Sequence, residues 1–241
     1  MFNRIMWKKF LSNLQKGDYS VLYRALVYFF FKFLGLTLAV PAIMLLWILK
    51  PFFWLKIGKL HHGRFGHLAL ETDLFLRRRQ LGIYPDGPVY WFLCDSRGTA
   101  NQQLLAMFKR IIPIYESRIL VSMFDGMHPI FKYTPFYQPL GLKNNEYFEF
   151  NSGSPSIYFT SDEIQKARAL LKRMNIDYDK DKYVSIFARD SAFLDKTMPF
   201  NKGGISHDIR NSDIDLCLEA IKFLIEKGFT VIRLGATVHK P

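Results

Sequence analysis

The sequence predicts an α/β protein, a mainly parallel sheet of Rossmann-like units preceded by a hydrophobic membrane helix. Three observations predict it. Short β-rich apolar runs alternate with amphipathic helical stretches at the spacing of βαβ units. Residues 25–49 form a run that is apolar except for Lys32. The strand-like residues 184–188 end abruptly in Arg189 and Asp190, about twenty residues ahead of a polar loop that opens another helix.

Charge is unevenly placed along the chain. The first sixty residues hold nine Lys or Arg (Arg4, Lys8, Lys9, Lys16, Arg24, Lys32, Lys50, Lys56, Lys59) against one acid, Asp18, which is +8 of the net +12. The basicity is therefore local, and no nucleic-acid face is expected on the rest of the chain. As a helix, residues 25–49 reach about 37 Å at 1.5 Å per residue, against a hydrocarbon core of about 30 Å. The run is too long for a signal peptide and no small-residue cleavage site follows it. A buried core helix is the alternative, but no polar face interrupts the run. Basic flanks on both sides, Pro41 near the middle and Trp7, Trp47 and Trp54 at the ends favour an anchor on one membrane face over a simple span. Membrane lipids are the expected partner, and the cytoplasmic face of the inner membrane the expected location.

The remaining elements come in order along the chain. Residues 55–60 read as a strand, and His61, His62, Gly63, Arg64, Phe65, Gly66 and His67 as a loop. A helix is expected over 68–81, with Leu70, Leu74 and Leu81 on its apolar stripe. Arg77, Arg78 and Arg79 near its end, followed by Gly82, read as a solvated, dipole-complementing terminus. Residues 88–94 form the next strand, and 95–99 turn into a helix with Leu104, Phe108 and Ile111 on one face. Residues 119–121 are a third strand. No period is evident over 125–156, where a short helix and a crossing into a second domain are expected. Thr160 and Glu163 form a capping box ahead of a helix with Ile164, Ala167, Leu171 and Met174 along one side. Residues 183–188 are the strand that delivers Arg189. Ser212 or Asn211 caps the following helix, whose stripe is Ile214, Leu218, Ile221 and Ile225, and Gly228 ends it ahead of a strand at 230–234. Three regions result: an anchoring segment at 1–56, a Rossmann-like domain at 57–156, and the start of a second such domain at 157–241.

Several residues carry candidate chemistry. Charged groups at the carboxyl end of a strand, beside a helix N-terminus, lie where open α/β sheets bind ligands, and such termini favour anions. Arg189 and Arg210 there point to a phosphate or diphosphate. A salt bridge of Arg189 with Asp190 or Asp213 is the structural alternative. His207 and Arg210, in a loop entering a helix, can bind phosphate or sugar hydroxyls, and Asp208 can orient either of them. For Asn211 and Ser212, capping is the main role expected. Gly63, Arg64 and Gly66 flank His67, a general-base candidate for an acceptor hydroxyl. A structural role for His67 stands beside that reading. No carboxylate or cysteine is found at metal-ligand spacing from His61, His62 or His67, so no metal and no cofactor are expected. Cys94 and Cys217 read as small buried apolar residues and give no disulfide framework.

These motifs carry a resemblance. Residues 63–70 (GRFGHLAL), 101–110 (NQQLLAMFKR), 188–192 (ARDSA) and above all 207–214 (HDIRNSDI) resemble, in this order, a group of bacterial glycosyltransferases encoded among surface-polysaccharide genes. That group is distantly similar to fucosyltransferase-type enzymes of the GT-B fold. The resemblance spans about 58–235 and implies two Rossmann-like domains, the N-terminal one on the acceptor side and the C-terminal one binding a nucleotide-sugar donor. It implies that Arg189 contacts the donor diphosphate. Those enzymes often carry a histidine two residues earlier, where this chain has Phe187, so the base of the nucleotide is left open. The acceptor implied is a glycan or lipid-linked molecule, with other polysaccharide-assembly proteins as further partners. By the family pattern the sequence stops after the second strand of the C-terminal half, so an incomplete second domain and a longer parent are expected. A non-catalytic membrane-bound module that binds phosphate-bearing ligands or assembles other polysaccharide enzymes is the alternative; a phosphotransferase is disfavoured because no Walker-type loop is present.

Overall fold

The computed structural model describes residues 19–95, 98–142, 146–192, 211–235 and 238. They fall into two compact units, Tyr19–Phe159 and Thr160–Pro241. The helix expected to stand apart as an anchor packs into the first of them.

In the first unit, α1 (Ser20–Leu49) leads to β1 (Leu55–Lys59), and a π-helical turn (His67–Glu71) runs into α2 (Thr72–Gln80). After them come β2 (Val89–Cys94), α3 (Gln102–Lys109), β3 (Ile114–Glu116), α4 (Arg118–Phe131) and α5 (Tyr147–Ser152). The sheet order is β1-β2-β3, all parallel, with Leu55 opposite Val89 and Phe92 opposite Ile114. Residues 136–138 extend it along the outer edge of β1, where Ile57 N–H donates to Phe136 O at 2.7 Å and Gln138 N–H to Ile57 O at 2.9 Å. Alternate residues of β2 face opposite ways, as the pleat requires. Tyr90, Phe92 and Cys94 join Phe75 and Leu76 of α2 and Leu105 and Phe108 of α3 in one core. Leu93 joins Val121, Phe124 and Phe131 of α4, with Ile43 and Leu46 of α1 against them, in a second core on the other face.

Helices α1 and α4 approach one another backbone to backbone. A Cβ on Gly35 would lie 2.0 Å from Met123 O, and one on Gly126 would lie 1.9 Å from Lys32 O. Only glycine at these two places lets α1 and α4 cross at that distance. Beside the crossing, Asp125 of α4 pairs with Lys59 Nζ at 2.6 Å and accepts from Tyr28 Oη at 3.4 Å.

Three expectations change. The third strand is Ile114–Glu116, and residues 119–121 lie in α4, because the Ser117 hydroxyl accepts from Leu120 N–H and starts a helix there. The π turn holds an extra residue relative to an α-turn and shifts the phase of α2. Leu68, Leu74, Phe75 and Leu76 are buried as a result, whereas Leu70 is 46% exposed. Arg77 and Arg78 are not solvated caps. Arg77 pairs with Asp73 at 2.7 Å and donates to the carbonyls of Phe150 and Gly153, and Arg78 pairs with Glu149 at 2.9 Å, so the two clamp α5 onto α2.

The second unit contains α6 (Ser161–Arg173), β4 (Tyr183–Ile186), a 3-10 turn (Ile214–Cys217), α7 (Leu218–Glu226) and β5 (Thr230–Arg233). The capping box is present: Glu163 N–H donates to Thr160 Oγ1, and Thr160 N–H to Glu163 Oε2. Strands β4 and β5 pair in parallel, Tyr183 opposite Thr230 and Ile186 opposite Arg233. The cap ahead of α7 is Asp213, whose Oδ1 accepts from Asp215 N–H at 3.1 Å, and not Ser212 or Asn211. The expected apolar stripes exist but are uncovered within the unit; Met174 is 54% and Ile225 57% exposed.

Substituting Gly126→Ala forces a methyl into the Lys32 carbonyl. We expect a loss of about 2 kcal/mol or more, the scale of overpacking in a close-packed core. Gly35→Ala should cost a similar amount, and the double variant less than the sum, because one separation of α1 from α4 relieves both clashes. Denaturant unfolding in detergent measures all three.

Candidate functional site

The carboxyl end of the parallel β1–β2 pair is where an open sheet presents side chains to a ligand. Strand β1 ends at Lys59 and releases His61 into a loop. That loop is tied to the one after β2 by Ala100 N–H donating to His62 O at 2.9 Å. The π turn then lifts His67 and Glu71 to the same place. Glu71 is 5% exposed and sits between two imidazoles. Its Oε1 lies 2.5 Å from His67 Nδ1 and its Oε2 2.6 Å from His61 Nδ1. The rings meet edge to face with centroids 6.0 Å apart.

A carboxylate accepts, so each imidazole donates through Nδ1, and in a neutral ring Nε2 is then left with its lone pair. The His67 side chain is 45% exposed, enough for a hydroxyl to be brought against the ring. This is the arrangement of a base held by a third group. The same three residues place ligand atoms within 4.8 Å of one another, a His2Glu donor set of the kind that binds a divalent cation. No carboxylate is expected at metal-ligand spacing from these histidines, yet Glu71 lies four residues after His67, so that pair is readable as one helix face. The contribution of His61, from a different element, is not.

Neither Gly63 nor Gly66 has a left-handed backbone, and the nearest atom a Cβ on Gly63 would meet is Gly98 O at 4.0 Å; one on Gly66 would meet nothing within that distance. They leave room next to His67 and are not needed for the turn. Arg64 is exposed. Cys94, at the end of β2, is fully buried, and burial pushes its thiol up to about 12, with Glu116 and Asp95 nearby adding to the effect. It is no nucleophile. Cys217 is half-buried, and both cysteines are free.

A second candidate site lies at the carboxyl end of β4 and β5. A cleft of roughly 310 Å³ there is lined by Asp190, Ser191, Asn211, Ser212, Asp213, Ile214 and Arg233. Asp190 Oδ1 accepts from Ala192 N–H at 3.0 Å, and the Arg189 carbonyl accepts from Ser212 N–H at 2.7 Å, which pins the two loops together. Among the described residues, the arginine lining the cleft is Arg233, which by sequence pattern is only a strand residue. Arg189 is half-buried. His207, Asp208 and Arg210 lie outside the described residues. Comparison with protein-family models, curated proteins and solved structures finds no match.

This geometry has two measurable outcomes. Glu71→Gln keeps the volume but withdraws one acceptor, so it should lower stability by about 2 kcal/mol, the scale of a hydrogen bond to a charged group. Nitrogen-15 spectra of the imidazoles should lose at least one of two protected Nδ1–H signals. For Cys94, the folded thiol stays neutral while the unfolded one ionises near its ordinary value of 9.0. Its contribution is therefore complete below pH 9.0 and is lost as pH rises toward about 12. The urea midpoint should fall over that window, and less steeply in Cys94→Ala.

Proposed function

We propose that the chain is a membrane-anchored glycosyltransferase, or the N-terminal portion of one, acting on a glycan or lipid-linked acceptor with a nucleotide-sugar donor. The observation that carries this reading is the mixed lining of the cleft at the end of β4 and β5. Among the described residues, Arg233 lines it together with Asp190, Asp213, Ser191, Ser212 and Asn211. A sugar nucleotide combines a diphosphate, which pairs bidentately with guanidinium, and many hydroxyls, which donate to carboxylates. Arg189, at the exit of β4, adds a second positive charge to that end of the sheet, and the resemblance of residues 188–192 and 207–214 to transferase motifs points the same way.

Each unit is suited to one requirement of the chemistry. Glycosyl transfer needs a base for the acceptor hydroxyl, whose oxygen bonds to the anomeric carbon as the bond from that carbon to the diphosphate oxygen breaks, and His67, held by Glu71, suits that role in the first unit. It also needs positive charge for the departing nucleoside diphosphate, and Arg233 and Arg189 offer it in the second unit. No metal is required by this scheme, although the His61, His67 and Glu71 set would accept one. The long apolar helix and the basic N-terminal sixty residues support a location on the cytoplasmic face of the inner membrane, near lipid-linked acceptors.

Titration of the detergent-solubilised chain with a panel of GDP- and UDP-sugars tests the reading. Saturable binding is expected, weakened about tenfold or more by Arg233→Ala and by Arg189→Ala, as the loss of a charge-assisted pair requires. A folded chain that binds no member of the panel sinks the donor site. Donor binding without transfer to any glycan or lipid-linked acceptor, by a full-length protein, favours a non-catalytic ligand-binding module.

A further inference from the structure

The sides of α1 have different surroundings. Along one side the helix is committed to its own unit. The Arg24 carbonyl accepts from Arg118 at 2.9 Å, and Tyr28 donates to Asp125. Lys32 and Gly35 touch the α4 backbone, Ala39 is fully buried, Ile43 and Leu46 enter the core, and Trp47 meets Phe136 edge to face at 5.3 Å. These positions recur at three- and four-residue steps, the repeat of one helix face. They extend from residue 24 to residue 47, about 35 Å of helix.

The opposite side carries a second stripe at the same steps. Leu26, Phe30, Phe33, Val40, Met44 and Ile48 are between 55% and 68% exposed. Thr37 falls within this stripe, and its hydroxyl donates to Leu34 O at 2.9 Å, so the position has no unmet polar group. The one charge of the run, Lys32, is on the docked side with its ammonium 5.7 Å from the Tyr28 ring. At the C-terminal end, Lys50 lies over Trp47 at 4.8 Å and Trp54 at 5.1 Å. Cationic and aromatic groups of this kind sit at the headgroup level of a bilayer.

We propose that α1 lies in the plane of the membrane surface as a monotopic helix, its exposed stripe in the acyl layer and both of its ends on one side. The proposal rests on the membrane-anchor reading and specifies its geometry. A transmembrane α1 is incompatible with the docking. The crossing at Gly35 and Gly126 lies near the middle of α1, so a span would carry α4 and the edge of the sheet to mid-bilayer. The Lys59–Asp125 pair, Arg118 and His128 would then enter hydrocarbon, where charges and open sheet edges are strongly disfavoured. Laid flat, the same helix puts only its apolar stripe into lipid and leaves the sheet in water. The occupant of the stripe is a lipid surface because both flanks are basic, Arg4, Lys8, Lys9 and Lys16 before it and Lys50, Lys56 and Lys59 after it. That charge suits anionic headgroups.

The test uses the full chain added from outside to preformed vesicles of phosphatidylethanolamine and phosphatidylglycerol. Native cysteines are first replaced by Cys94→Ala and Cys217→Ser. Flotation with the vesicles is expected, and its absence overturns both this proposal and the anchor reading. Single reporters Ser12→Cys and Asp86→Cys, one before α1 and one in the loop ahead of β2, should both react fully with an impermeant maleimide. Protection of Ser12→Cys until the vesicles are opened would establish a span and overturn the proposal while leaving the anchor intact. Spin labels at Leu26→Cys, Phe33→Cys, Val40→Cys and Ile48→Cys should report one depth, within about 5 Å. A span instead places the middle labels about 15 Å deeper than the ends. Stripe labels that approach one another in lipid-free oligomers, and stay water-inaccessible without vesicles, would identify a second copy of the chain as the occupant and overturn the lipid assignment.

Discussion

The crossing of α1 and α4 governs the first unit. Two helices normally stand 8–10 Å apart, kept there by the side chains between them. At Gly35 and Gly126 nothing stands between them, and each glycine faces a carbonyl of the other helix. That approach brings Asp125 close enough to Tyr28 and to Lys59 at the end of β1 to tie the helix pair to the sheet. It also lets Ile43 and Leu46 reach Phe124 and Phe131 over the sheet face. The apolar helix is thus one layer of an α/β/α sandwich, a layer with one side left over.

The other face of the sheet is organised around a buried charge. Glu71 has little solvent, and a buried carboxylate is stable only when its oxygens are paired. Two imidazoles do this, one from the loop after β1 and one from its own helix. The arrangement fixes both rings without using their outer nitrogens. The atoms that satisfy the carboxylate are the Nδ1 atoms, which leaves Nε2 of each ring outside the pairing.

Local signals are the legible part of this chain. The strands at 89–94, 183–186 and 230–233 announce themselves by β-branched and aromatic runs, and Thr160 with Glu163 fixes a helix start to the residue. Features set by distant partners cannot be read in this way. Residues 119–121 look like a strand by composition, and only Ser117 as a cap assigns them to α4. Arg77 and Arg78 read as a solvated terminus because their partners at 149, 150 and 153 lie more than seventy residues away. The two stripes of α1 are invisible for another reason: protein core and lipid ask for the same side chains, so hydropathy alone does not separate them. At the second site, Arg233 passes as a strand residue because its importance depends on β4 and β5 pairing in parallel and ending together.

The π turn lets one helix keep two registers. In an α-helix each residue turns the chain by about 100°. The extra residue between 67 and 71 therefore acts as a gear between the segment that aims His67 at solvent and the segment that buries Leu74 and Phe75. Neither segment has to compromise its facing for the other. The placement of the imidazole and carboxylate is in this sense set by a count of backbone atoms. A single-residue deletion there would leave every functional side chain in the sequence and still remove the site.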